Sequence, residues 1–152
     1  MVISSAELVA AWQAVGFVHG VLNTDNMSML GVTIDYGPFG FIDYFSKDYV
    51  SNATDEHERY SYRRQPHTFK WNLQKLAESL DFLVPHTVLK EHIEELFDKT
   101  FNQAYDKKMS AKLGLKNNEE SRHIVSELLE VMHICGSNYT NVFRILDEKP
   151  QN

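Results

Sequence analysis

Leu89, Ile93, Leu96 and Phe97 fall on one stripe of residues 87–113. That repeat predicts a long helix with one buried side, and Gly114 punctuates it. The same spacing marks residues 67–83, with Phe69, Leu73, Leu76 and Leu80, and residues 119–133, with Ile124, Leu128, Leu129 and Met132. A short last helix is expected over residues 138–146. Near the start, Ser4 and Glu7 fit a capping box for a helix over residues 4–16. Leu8, Trp12 and Val15 lie at core spacing along it. A chain patterned this way is mostly α.

One stretch breaks the helical pattern, "HGVLNTDNMSMLGVTIDYGPFGF", residues 19–41. Two short strands are expected around Gly31, at 27–30 and 32–34, giving a small β-hairpin. Asn26 and Asp35 would then lie at its two open ends and be neighbours in space. Gly37, Pro38 and Gly40 make the following residues irregular. Residues 42–66 read as a loop with scattered aromatics.

The chain of 152 residues is the size of one domain. Its formal net charge of -6 argues against nucleic acid or an anionic membrane as partner. "RYSYRR" interleaves arginines with tyrosines, but one short basic run in an acidic chain reads as a loop packed by its tyrosines. The single cysteine, Cys135, rules out an internal disulfide and a cysteine zinc site in this chain. Its apolar setting, "VMHICG", predicts a buried thiol. His86, His92, His123 and His133 form no zinc-type pair. No apolar run reaches the length of a membrane span, so no membrane insertion is expected. The first residues lack the basic region of a signal peptide and read as a helix inside a fold.

An Asn and an Asp held close together suit a hard cation such as Mg²⁺, which takes oxygen ligands and leaves positions for phosphates. Asp25, directly before Asn26, could take a proton from an attacking hydroxyl. The protein-kinase order is His-Arg-Asp, then Asn, then Asp-Phe-Gly. Here it is His19-Gly20-Val21, then Asn26, then Asp35-Tyr36-Gly37. Val21 occupies the place of the kinase base and cannot accept a proton.

This stretch resembles the catalytic segment of the selenoprotein O family, the kinase-like protein adenylyltransferases. The likeness continues through "ERYSYRRQP", "WNLQKLAESL", "MSAKLGL" and "LLEVMH". The resemblance implies a protein-kinase-like fold that binds ATP with its phosphates reversed and transfers AMP to Ser, Thr or Tyr hydroxyls of proteins. It implies Asp25 as the base, Asn26 and Asp35 as ligands of Mg²⁺ (or Mn²⁺), and Asp35 also at the nucleotide. His19 would support the loop, and Asn23 would orient it or approach a phosphate.

The sequence departs from the family at "SNATD", where Ser51 stands in place of a usual cysteine. It departs again at Glu58-Arg59-Tyr60, where a usual glycine is replaced and a turn is expected to be reshaped. By the same resemblance, residues 1–152 are expected to be one partial kinase-like catalytic domain. It would be an α+β C-lobe piece with the ATP-gripping N-lobe absent and no second domain. The alternatives are an inert fragment or binding module and, less favoured, a conventional phosphotransferase. Animal members are mitochondrial and bacterial ones cytoplasmic, and the sequence details sit nearer the animal side.

Overall fold

The computed structural model describes residues 1–147. The order is α1 (Val2–Val15), β1 (Phe17–Val18), β2 (Gly40–Phe41), a 3-10 turn (Tyr62–Arg64), α2 (Gln65–Ser79), α3 (His86–Lys112), α4 (Glu119–Cys135) and α5 (Tyr139–Asp147). The expectation of a mostly helical chain is met, and the periodic segments are α2 to α5.

α1 is the central element and packs mainly on α3, then on α2. It buries Ser5, Ala6, Val9, Ala10, Trp12, Gln13 and Ala14. So many small and apolar residues on several sides suit an interior helix. One core cluster joins α1 to α2 and α3 through Ala6, Val9, Trp12, Phe69, Leu73 and Phe97. A second joins its far end to α4 and α5 through Ala14, Met109, Met132, Tyr139 and Phe143. Near-parallel stacking of Phe97, Phe101 and Tyr105 runs along α3 between them.

The ends of α1 differ from expectation. The Ser4–Glu7 capping box is not formed, because the Ser4 hydroxyl donates back to the Met1 carbonyl at 2.9 Å and the helix already starts at Val2. Val15 is 52% exposed rather than core, since the chain turns away at Gly16, φ 73°. The last carbonyls of α1 find donors far along the chain. The Tyr62 hydroxyl donates to Gln13 at 2.6 Å, and Lys112 Nζ to Ala14 at 2.7 Å. Helix-end carbonyls need such partners when buried. Lys112 also lies over the Phe143 ring, and burial lowers its ammonium pKa to about 8.

Cys135, expected to be buried, is exposed. It ends α4 beside Gly136, whose φ of 59° stops the helix there. Its neighbour Ile134 points outward as well, at 74% exposure. Met132 and His133, the latter beside the Phe45 ring, make the inward contacts of this turn.

The hairpin is the main correction. Residues 27–34 contain no strand. The two-stranded antiparallel sheet is built from the flanking residues, with Phe17 opposite Phe41 and Val18 opposite Gly40. A strand register is pinned when one face is buried, but Met29, Leu30 and Val32 are all more than half exposed. Residues 31–34 lie back on α1 instead. Gly31 abuts Ser4, and Trp12 Nε1 donates to Thr33 Oγ1 at 2.9 Å. Among the described residues no helix is long and apolar enough to cross a membrane.

Candidate active site

The sheet closes residues 19–39 into one long loop whose two ends leave β1 and enter β2 side by side. All three predicted site residues lie on this loop. His19, buried at its entrance, meets the Ile34 carbonyl through Nε2 at 2.8 Å. A carbonyl only accepts, so His19 carries its proton on Nε2. This bond ties the residue before Asp35 to the start of the loop, as a supporting role for His19 requires. The ring also packs against Trp12, with centroids 5.7 Å apart.

Asp25 is exposed at the third position of a tight turn closed by Asn26 N–H donating to the Asn23 carbonyl at 3.1 Å. Asn26 is half-buried and donates Nδ2–H to the Val21 carbonyl at 2.9 Å. That bond uses the nitrogen end of the amide and leaves Oδ1 as its unengaged end. Asp35 is exposed with a φ of 54°, and Gly37 N–H donates to its carbonyl at 2.8 Å. Among the described residues neither Asp25 nor Asp35 has an ion-pair partner, and no hydrogen bond joins Asp25, Asn26 and Asp35 to one another. What the fold supplies in place of the hairpin is two ties to the same short run. Asn26 is bound to Val21, and the residue beside Asp35 is bound to His19. The free donors are one amide oxygen and two carboxylates, all oxygen, which is the donor set a hard cation takes. The donor types match such a cation, but among the described residues no group of three or more His, Cys, Asp or Glu side chains converges on a metal position.

Four polar side chains that the sequence patterns did not single out hold this loop. Buried Gln65 accepts from His19 N–H at 2.9 Å and donates to the Phe17 carbonyl at 2.9 Å. Buried Asn72 donates to the Leu22 carbonyl at 2.9 Å and the Asn23 carbonyl at 3.2 Å. Asn52 donates to Gly20, and the Tyr60 hydroxyl donates to Asn23 Oδ1. Asn23 thus orients the turn, and its side chain is engaged by protein. A signal for two of the four was present. Gln65 and Asn72 sit in the apolar phase of α2 with Phe69 and Leu73, and a polar side chain at a core position must have a dedicated partner.

Ser51 stands next to the same corner, with its hydroxyl 3.5 Å from the Val18 carbonyl. At Glu58, where the family's usual glycine is replaced, the chain makes a tight turn. Glu58 adopts a φ of 53°, the left-handed region that glycine occupies freely. Asp55 secures it by accepting from Arg59 N–H at 3.0 Å and Tyr60 N–H at 2.8 Å. Glu58→Gly is therefore expected to stabilise the chain by about 0.5–1 kcal/mol. Thermal melts of the two forms check this, and an unchanged or lower midpoint contradicts it.

The fold thus presents Asp25, Asn26 and Asp35 on one loop that is gripped from below by Gln65 and Asn72. The model of the family described as protein adenylyltransferase SelO matches residues 1–152. The chain is 50% identical over 148 residues to the mitochondrial protein adenylyltransferase SelO of Mus musculus, covering 96% of this chain and 22% of that protein. The Homo sapiens protein of the same name is 51% identical, with the same coverage. Protein nucleotidyltransferase YdiU of Bordetella petrii is 44% identical over 143 residues, 93% of this chain and 29% of the relative. The chain belongs to the protein adenylyltransferase SelO family and spans less than a third of the length of these relatives.

Proposed function

We propose that this chain is the catalytic segment of a Mg²⁺-dependent protein adenylyltransferase of kinase-like fold, one that moves AMP from ATP to Ser, Thr or Tyr hydroxyls of proteins. The observation that carries the reading is the Asn23–Asn26 turn. It presents Asp25 to solvent while bonds from Asn72, Tyr60 and Asn26 itself hold its backbone and flanks. A base must be placed by groups that do not themselves react. Asp25 would accept the proton of the acceptor hydroxyl as its oxygen bonds to the α-phosphorus and pyrophosphate departs. Asn26 Oδ1 and the Asp35 carboxylate would hold Mg²⁺, or Mn²⁺ in its place, and Asp35 would also adjoin the nucleotide. The bound cation would neutralise phosphate charge. Ordinary phosphoryl transfer is disfavoured because Val21 occupies the kinase base position.

The names of the mouse and human relatives place those proteins in mitochondria, and we extend that location to this one. A bacterial cytoplasm is the alternative. A second reading, that the 152 residues alone are inert or act as a binding module, is favoured by the exposed apolar rim of the loop, Leu30 at 82% and Met29 at 62%. The test is incubation with ATP, Mg²⁺ and candidate acceptor proteins, followed by mass spectrometry. It is run on the chain alone and on a version extended to the length of the relatives. Adenylyl increments on hydroxyl residues are expected from the extended form. A phosphoryl increment, or none, from that form overturns the proposal.

A further inference from the structure

An open cavity of about 550 Å³ is lined by Arg59, Arg64, His67, Thr68 and Trp71. Its chemistry is unusual for a chain of net charge -6. Of the three arginines in this segment, Arg63 pairs with Asp48 at 2.6 Å. Arg59 and Arg64 have no carboxylate partner among the described residues. Asp55, the nearby acid whose contacts reach this segment, has both oxygens engaged by the backbone of Arg59 and Tyr60. Arg59 lies over the Trp71 ring, 5.0 Å from its centroid, and Arg64 donates to the His57 carbonyl at 3.0 Å. Both guanidinium groups are thereby held in place with donors to spare. A guanidinium held so is suited to a carboxylate, which it can grip with two parallel hydrogen bonds.

Two of the lining residues are sequence neighbours of side chains that hold the turn carrying the candidate base. Arg59 precedes Tyr60, whose hydroxyl holds Asn23. Trp71 precedes Asn72, which holds the Leu22 and Asn23 carbonyls. The segments that line the cavity, residues 59–60 and α2, are therefore also the ones that grip the turn carrying Asp25, and the Arg59 guanidinium lies 5.7 Å from the Tyr60 ring centroid. The cavity's volume falls in the range of sites that take more than a single ion, roughly 300–1,000 Å³.

The geometry points to a docking site for an acidic segment of the acceptor protein, with Arg59 and Arg64 receiving its carboxylates while a nearby hydroxyl residue is offered to Asp25. This rests on the adenylyltransferase reading, because it identifies the occupant as the acceptor. A phosphorylated segment would present the same anionic chemistry. A nucleotide, with its base on Trp71, is the competing occupant.

The site is tested without ATP or metal by fluorescence anisotropy. The 152-residue chain is titrated into labelled peptides that carry one Ser and a run of Glu, into the matched Gln peptides, and into a phosphoserine version. The Glu peptide is expected to bind about 10-fold tighter than the Gln peptide, a difference of about 1.4 kcal/mol. Arg59→Gln and Arg64→Gln are each expected to weaken the Glu peptide by a similar factor. Both residues are exposed, so circular dichroism should be unchanged. Lys116→Gln removes the same charge from an exposed site outside the cavity and should leave binding as it was.

Equal binding of Glu and Gln peptides, equal loss with Lys116→Gln, or displacement of the peptide by AMP at lower concentration than by free Glu peptide overturns the proposal. Tighter binding of the phosphoserine peptide, lost with the same two arginines, supports the site and makes phosphate its preferred anion. The two readings fail separately. Arginine-dependent peptide binding without AMP transfer by the extended form leaves the docking site standing. Equal kcat/KM for AMP transfer to Glu and Gln peptides removes the docking site and leaves the transfer reading intact.

Discussion

Asp25→Asn is expected to lower AMP transfer by the extended protein about 100- to 10,000-fold, the usual worth of a positioned general base. The substitution keeps the size and shape of the side chain. It also leaves the turn alone, because the turn is closed by Asn26 N–H to the Asn23 carbonyl and gripped by Asn72, with no bond through the Asp25 carboxylate. Thermal stability and ATP affinity should therefore stay near those of the parent while kcat falls. Asp35→Asn should behave differently. It removes a carboxylate from the proposed cation site, so a rise in the Mg²⁺ concentration needed for half-maximal rate should accompany the loss. Measuring kcat and the Mg²⁺ dependence of both variants separates the two roles. An Asp25→Asn enzyme within twofold of the parent removes Asp25 from proton transfer. A matching shift in Mg²⁺ dependence reassigns it to the cation.

Which parts of this arrangement could be read in advance follows from where their causes lie along the chain. The apolar stripes of α2, α3 and α4 are local, and so are the glycines after α3 and α4, so those helices were legible within a few residues. The start of α1 was misread because Ser4 is bonded to Met1 rather than capping forward. Its far end depends on Tyr62, Lys112 and Tyr139, and the last of these lies 125 residues from the carbonyl it meets. No local pattern announces such a bond. The hairpin failed for a related reason. Alternating apolar residues around Gly31 looked like strands, yet the partners of that run are Ser4 and Trp12 on α1. At the candidate site, the order of Asn26 and Asp35 follows a known catalytic pattern, Asp25 comes from the family resemblance, and the structure places all three on one loop. The supports were not legible, although Gln65 and Asn72 were visible as polar residues in a core phase.

Three glycines, two in the loop and one after α3, differ in how closely the backbone is confined. Gly20 is buried at a φ of 83°, and a Cβ there would lie 2.6 Å from the Pro38 carbonyl oxygen and 2.6 Å from the Ser51 hydroxyl. Gly114 has a φ of 65° with open space around it, and Gly37 has neither a left-handed φ nor a neighbour within 4 Å. Alanine at Gly37 should therefore be nearly neutral. Alanine at Gly114 should cost about 1–2 kcal/mol for the left-handed backbone alone. Alanine at Gly20 carries that cost and a clash with backbone that cannot rotate away, for a total of about 2–5 kcal/mol. Such a loss is a large share of the roughly 5–15 kcal/mol that holds a domain together. Gly20→Ala should also disturb the site, because Gly20 precedes Val21, the anchor of Asn26, and Pro38 lies three residues past Asp35. Urea denaturation of the three variants should rank them Gly37, Gly114, Gly20 in increasing loss. A Gly20→Ala chain as stable as the Gly37→Ala chain would mean that the loop does not close against Pro38 and Ser51. The proposed placement of Asp35 beside the entrance of the loop would fall with it.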